Sequence, residues 1–172
     1  GFNGRDNAAY YETPNFVREL HLDELDDHVI LAYEMNDEDL PYLNGFPLRL
    51  VIPGYYSDSW VKMLSNITVT NCVCVSTETA LKIGSGTYGE FRNITFSNCA
   101  VRDAGCGVGL WMRDGGLIDG WVIDNIAMTL PHDGVPIYFW SWRRRDETPW
   151  GTVRNVMVSN VTAIGDGCAF LT

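Results

Sequence analysis

The chain has 172 residues, enough for one ordinary domain or two small ones, and its 46% hydrophobic content can supply a buried core. Twelve Lys and Arg against 22 Asp and Glu leave a formal charge of −10, which repels phosphate backbones and anionic lipid surfaces and argues against nucleic acid as a partner. No apolar run reaches the ~18 residues of a membrane span, and the opening GFNGRDNAAYYE has neither the basic nor the apolar region of a secretion signal, so no membrane partner is expected.

From Gly1 to about Leu64 no internal repeat is visible and the sequence is acidic, with LDELDD followed by VILAYEMN. The order of elements reads as loop, short helix or turn, strand, loop, and a second strand from Pro47 to Ile52, stopped by Pro53-Gly54. No cysteine precedes Cys72.

The strings TPNFVREL and DDHVILAYEMNDEDLPYLNGFPLRLVIPGYYSDSWVKMLSNITV closely resemble the C-terminal part of the molybdopterin-binding domain of sulfite oxidase and its bacterial sulfite dehydrogenase relatives. The resemblance implies cofactor contacts at Arg49 and at Trp60, Val61 and Lys62. Asn44 stands where that family often has a His before GFP, and Phe16 stands roughly where many members have a Tyr. A cation at Arg49 or Lys62 suits the pterin phosphate, because charge-assisted donors bind phosphate oxygens well. The bland alternative is that both are surface or turn residues. The family's molybdenum-ligating Cys would lie upstream of LAYEMN, so no cofactor is expected in this chain by itself, and molybdopterin is expected if the segment works within a longer protein.

After residue 65 a repeat begins: NITVTNC from Asn66, NITFSNC from Asn93, GWVIDNI from Gly120 and NVMVSNV from Asn155. Each is a short alternating run, the mark of strands and not of helices. The sixth positions are Asn71, Asn98, Asn125 and Asn160, so the first two steps are equal and the last is longer, with PHDGVP and SWRRRDETPWG as the inserted loops. Second strands are expected at ALKIGS from Ala80, VGLWM from Val108 and PIYFWSW from Pro136. Two or three strands per repeat predict a mainly β fold: a right-handed parallel β-helix, a pectin-lyase-like solenoid of about four coils, preceded by a short irregular α+β segment. The first segment is expected to serve as an N-terminal cap over the open end.

Stacking of the repeats brings Cys72 and Cys99 to one position, followed there by Ile126 and Val161, so buried stacked thiols are expected, with a disulfide as the alternative. The asparagines predict a ladder whose amides bond to turn backbones. The sequons at Asn66, Asn93 and Asn160 coincide with the repeat and read as its signature more than as glycosylation sites. Arg143, Arg144 and Arg145 form the one basic cluster, either a solvated loop or the wall of a local basic cleft.

Residues 66–172, through ALKIGS, NITFSNC and RDGG, resemble glycoside hydrolase family 28, the polygalacturonase-like enzymes. That resemblance implies hydrolysis of pectin-like polysaccharide with inversion, by separated carboxyl groups that leave room for a water, and an extracellular or periplasmic location. The family's motifs do not carry over: Glu78, Thr79 and Ala80 stand where Gly-His-Gly would be, and Gly109, Leu110 and Trp111 where Arg-x-Lys would be. Asp26 and Asp27 are adjacent but lack that family's context, so no catalytic residue is assigned and no metal site is expected. Trp111, Arg113 and Asp114 are the candidate substrate-binding residues, with Trp140, Trp142 and Trp150 nearby, and the alternative is plain packing. The chain as a whole therefore reads as chimera-like, a polygalacturonase-type β-helix that is incomplete or inactive. The alternatives are a fragment of a molybdenum-dependent sulfite oxidase-type oxidoreductase and a non-catalytic carbohydrate-binding or structural β-helix.

Overall fold

The structure is a computed structural model that describes residues 2–4, 17–19, 21, 28–56, 60–166 and 170–171. Phe16, Asp26, Asp27 and Cys168 lie outside the described residues. The chain divides into two compact units, Gly1–Thr68 and Val69–Thr172.

The first unit is built from short strands. β1 (Phe2–Gly4) pairs antiparallel with β2 (Val17–Arg18) and with β7 (Leu64–Thr70), and β3 (Ile30–Ala32) pairs antiparallel with β6 (Arg49–Val51). β4 (Glu34–Met35) and β5 (Glu38–Asp39) make a minimal hairpin. Its two central residues, Asn36 and Asp37, have φ of 58° and 63°, the left-handed pair that a two-residue hairpin turn requires and that Asn and Asp tolerate best. A single 3-10 turn, Tyr42–Asn44, ends at Gly45 with φ of 113°. Leu50, Ile52, Val61 and Leu64 form the core, with Phe2, Val29, Leu48, Trp60 and Ile67 packed around it. Leu50 and Ile52 face the same side because strand side chains alternate. The stretch from Val61 to Leu64 is zipped alongside β6, with Leu50 N donating to Val61 O at 2.8 Å and Leu64 N to Leu48 O at 2.8 Å.

The second unit is dominated by two parallel ladders. β10 (Glu90–Arg102), β12 (Leu117–Thr129) and β14 (Thr152–Ile164) run in register, Ile94 beside Trp121 beside Val156, and β8 (Val73–Val75) joins the end of β10. β9 (Thr79–Ser85), β11 (Cys106–Met112), β13 (Val135–Ser141) and β15 (Phe170–Leu171) form the other ladder. Alternation buries one face of each: Ile94 and Phe96 on β10, Ile118, Trp121, Ile123, Ile126 and Met128 on β12, and Val108, Leu110 and Met112 on β11. Phe96 meets Trp121 edge-on at 5.7 Å and Trp121 meets Phe139 at 5.1 Å. Such aromatic pairs add about 0.5–1.5 kcal/mol each beyond their buried area.

The long strands bend where asparagine permits it. Asn93, Asn98, Asn125, Asn155 and Asn160 all have φ between 51° and 55°, and Gly120 holds the position equivalent to Asn93 and Asn155 with φ of 78°. Asn enters the left-handed region more readily than other side chains, and Gly enters it without steric cost. The amides of Asn125 and Asn160 reach across to side chains of the neighbouring strand: Asn125 Nδ2 donates to Asn98 Oδ1 at 2.8 Å and Asn160 Nδ2 to Asp124 Oδ1 at 2.8 Å.

The expected fold class is corrected by this architecture. The chain is a mainly β structure that mixes parallel and antiparallel sheets, with no α-helix among its described residues, and not a pectin-lyase-like solenoid behind an α+β segment. A recurring alternating strand requires only that each copy lend its edge to the next in register. That fixes parallel pairing but neither the coil nor the hand of a particular family. The first segment, expected to hold a short helix or turn, has up to the start of β7, where described, two- and three-residue strands, the 3-10 turn and irregular connections.

Candidate functional site

The expected cofactor contacts converge in the first unit. The 3-10 turn delivers Asn44, and Gly45 then reverses the chain at a φ that a side chain resists. A Cβ on Gly45 would sit 3.1 Å from both Cα and Cβ of Lys62, so the glycine is also what lets these two segments touch. Met63 N donates to Gly45 O at 3.1 Å and fastens them. Lys62 Nζ donates to Leu43 O at 2.9 Å, and Arg49 Nη1 donates to Asn44 O at 3.2 Å. The guanidinium of Arg49 lies over the Trp60 ring, 5.2 Å from its centroid, and Trp60 Nε1 is tied to Ile52 O at 2.9 Å. Asn44 Nδ2 contacts Met35 Sδ at 3.5 Å. Val61 is fully buried, so its side chain holds Trp60 and Lys62 in place from within the core.

One atom of this cluster is unspent. Arg49 Nε is buried with no hydrogen-bond partner among the described residues. A buried donor left unpaired costs about 1–3 kcal/mol. An acceptor-rich anion placed there would recover that cost.

In the second unit the three expected substrate-binding residues do different things. Asp114 is a buried structural carboxylate: Arg144 Nε approaches Oδ1 at 2.7 Å and its Nη2 approaches Oδ2 at 3.1 Å, a two-pronged pair. Thr87 completes the knot, its N donating to Asp114 Oδ2 at 3.3 Å while its Oγ1 accepts from the backbone N of Arg113 and Asp114 at 3.1 and 3.0 Å. Arg113 lies over the Trp142 ring at 4.9 Å, and Trp142 stacks on Trp140 at 5.1 Å. Trp111 is placed against Tyr138 at 5.6 Å, with Lys82 Nζ 5.3 Å from its ring centroid. A shallow cleft of about 320 Å³ beside it is lined by Thr77, Glu78, Thr79, Cys106, Trp111 and Tyr138. Sequence reasoning missed Thr87 and Arg144 as the partners that fix Asp114. The signal was present only as one member of the Arg143–Arg145 triplet, read as either a solvated loop or the wall of a local basic cleft.

Residues 1–77 match the family model described as the oxidoreductase molybdopterin binding domain. The first part of the chain is therefore similar to a molybdopterin-binding oxidoreductase domain. The chain is 30% identical over 149 residues to NADH nitrate reductase 2 of Phaseolus vulgaris, covering 83% of this chain and 15% of that protein. It is 31% identical over 128 residues to the NADH nitrate reductase of Lotus japonicus, 74% of this chain and 13% of that protein. Over 43 residues it is 51% identical to the mitochondrial sulfite oxidase of Drosophila melanogaster, 25% of this chain and 8% of that protein. The chain thus spans about a seventh or less of the length of these relatives. No solved structure matches it.

These matches overturn the polygalacturonase-like reading of residues 66–172 and, with it, the chimera-like description. The alignments to nitrate reductases extend across most of the chain, and the family model that matches is that of the molybdopterin domain. Asp119 is held below the usual carboxylate range by hydrogen bonds from Arg154 and Asn155, and Asp124 by those from Ser159 and Asn160.

Proposed function

We propose that this chain is part of a molybdopterin-dependent oxidoreductase of the kind represented by nitrate reductases and sulfite oxidases, and that Asn44, Arg49, Trp60, Val61 and Lys62 form its share of the cofactor cradle. The observation that carries this reading is the buried, unpartnered Nε of Arg49 within a segment that matches the molybdopterin domain. The donors fit the group. Arg49 offers a planar fork and Lys62 a point charge, the two chemistries that bind phosphate oxygens.

When bound, the cofactor supplies oxo-group and electron transfer at molybdenum. The residues of this chain bind and orient. Trp60, anchored through Ile52 O, holds the Arg49 plane against its ring. Leu43 O keeps the Lys62 ammonium beside the same turn.

A titration of the full chain with a pterin monophosphate, followed by Trp fluorescence and calorimetry, tests the reading. Binding that weakens about tenfold or more in Arg49→Ala and in Lys62→Ala is expected, in line with the ~1.5–3 kcal/mol of a hydrogen bond to a charged group. Absence of binding, or binding indifferent to both substitutions, would overturn it.

A further inference from the structure

Three free cysteines gather where the chain passes from β7 to β8. Cys72 sits between those strands, Cys74 lies on β8 and Cys99 on β10. The backbone is tied on both sides of the Cys72–Cys99 position: Asn71 N donates to Ser97 O at 3.3 Å, and Ala100 N donates to Cys72 O at 2.9 Å. Val73 is registered with Ala100, one residue further along each segment. Cys72 and Cys99 are therefore direct neighbours across a parallel pair. Adjacent strands run ~4.8 Å apart, inside the ~4.4–6.8 Å between Cα atoms that a disulfide spans.

The same local structure is built twice. Asn71 and Asn98 precede the two cysteines with φ of 57° and 52°. Each thiol then turns back to the carbonyl two residues before it, Cys72 Sγ to Thr70 O and Cys99 Sγ to Ser97 O, both at 3.1 Å. Matching backbone and matching thiol direction bring the two sulfur atoms within interaction distance of each other. The series stops there, because Ile126 and Val161 hold the equivalent position on β12 and β14. Both segments that carry the pair are described, so the pair is complete without any further stretch of chain.

The two thiols differ in access. Cys99 is 3% exposed, and burial pushes its thiol up, whereas Cys72 is half-buried. The thiolate is the form that attacks an oxidant, and burial in apolar surroundings suppresses it. Cys72 is the member that a small oxidant meets first, with Cys99 waiting beside it.

We infer that Cys72 and Cys99 form a redox-active dithiol, in which a hydroperoxide oxidises Cys72 and Cys99 then closes a disulfide. The Cys72 thiolate attacks the peroxide: an S–O bond forms, the O–O bond breaks, and the distal oxygen leaves as an alcohol, or as water from hydrogen peroxide. Cys99 sulfur then attacks the sulfenic acid: the S–S bond forms, the S–O bond breaks, and hydroxide leaves with the Cys99 proton as water. Two thiols are oxidised and one peroxide is reduced. This inference concerns the second unit and does not rest on the cofactor reading.

The test treats the reduced full chain with one equivalent of hydrogen peroxide, under native conditions, and maps its peptides without reduction. A Cys72–Cys99 cross-linked peptide is expected, with the loss of two titratable thiols, both restored by dithiothreitol. Cys74→Ser should leave the cross-link in place. Cys72→Ser should slow consumption of peroxide by about tenfold or more, and Cys99→Ser should leave a sulfenic acid at Cys72 that dimedone traps. The inference is overturned if the wild-type chain keeps both thiols, if the cross-link runs through Cys74, or if it forms only after the chain is unfolded in urea. A Cys72→Ser chain that consumes peroxide as fast as the wild type overturns it as well.

Discussion

Arg144 grips Asp114 with two nitrogens, at 2.7 and 3.1 Å, although the two residues are thirty positions apart and the carboxylate side chain is only 2% exposed. The pair fastens the connection after β13 to the turn after β11. Removing one partner of a buried ion pair strands the other. Arg144 itself is 39% exposed, and Thr87 N still serves the carboxylate, which softens the loss. Arg144→Ala should therefore cost about 1–3 kcal/mol in urea denaturation, and Asp114→Ala no less.

Gly45 is conformationally committed. Its φ of 113° and the 3.1 Å approach of Lys62 make Gly45→Ala unfavourable on both counts. A loss of about 1–3 kcal/mol in thermal or chemical denaturation is expected, together with weaker binding of a pterin monophosphate because Lys62 is displaced.

Gly109 leaves room for the Trp111 ring, which lies where a Cβ would project. Gly109→Ala should turn that ring outward, away from Tyr138, and change the intrinsic Trp fluorescence. An unchanged spectrum would contradict the placement of the ring.

The carboxylates of Asp119 and Asp124 have pKa values lowered from 3.8 by their hydrogen-bond donors. A lowered folded-state value gives stability that is present above the unfolded value and is lost as pH falls through the folded one. Denaturation midpoints should hold steady above about pH 5 and decline below 3.8, and Asp119→Asn should flatten that decline.

The free thiols of Cys74, Cys99 and Cys106 are pushed up from 9.0 chiefly by burial. Their contribution to stability is full below the unfolded value and is lost as pH rises through the folded one. Stability should fall above about pH 9, and alkylation of these cysteines in the native chain should be slow at neutral pH compared with the unfolded chain.

The sequence made some of this legible. Equal spacing of NITVTNC, NITFSNC and GWVIDNI announced strands that pair in parallel, and ALKIGS, VGLWM and PIYFWSW were visible as strands by alternation. The cluster proposed to hold the cofactor was visible only through resemblance, because nothing local says that Gly45 will bring Lys62 to Leu43. Arg144 could not be paired with Asp114 from sequence, since a loop arginine and a distant carboxylate carry no periodic signal. The polygalacturonase-like assignment failed for a related reason. Stacked strands with asparagine bends obey a general packing rule, and that rule says nothing about which chemistry a chain performs.

The connections between strands differ in length while the pairing does not. Four residues follow β11 but ten follow β13, and three follow β10 but five follow β12, which together supply the longer last step of the repeat. Register is thus insulated from the length of the outer turns. The segment between Trp142 and Gly151 is accordingly the place where sequence can be lengthened, shortened or exchanged at small thermodynamic expense, provided that the hold of Arg144 on Asp114 is kept.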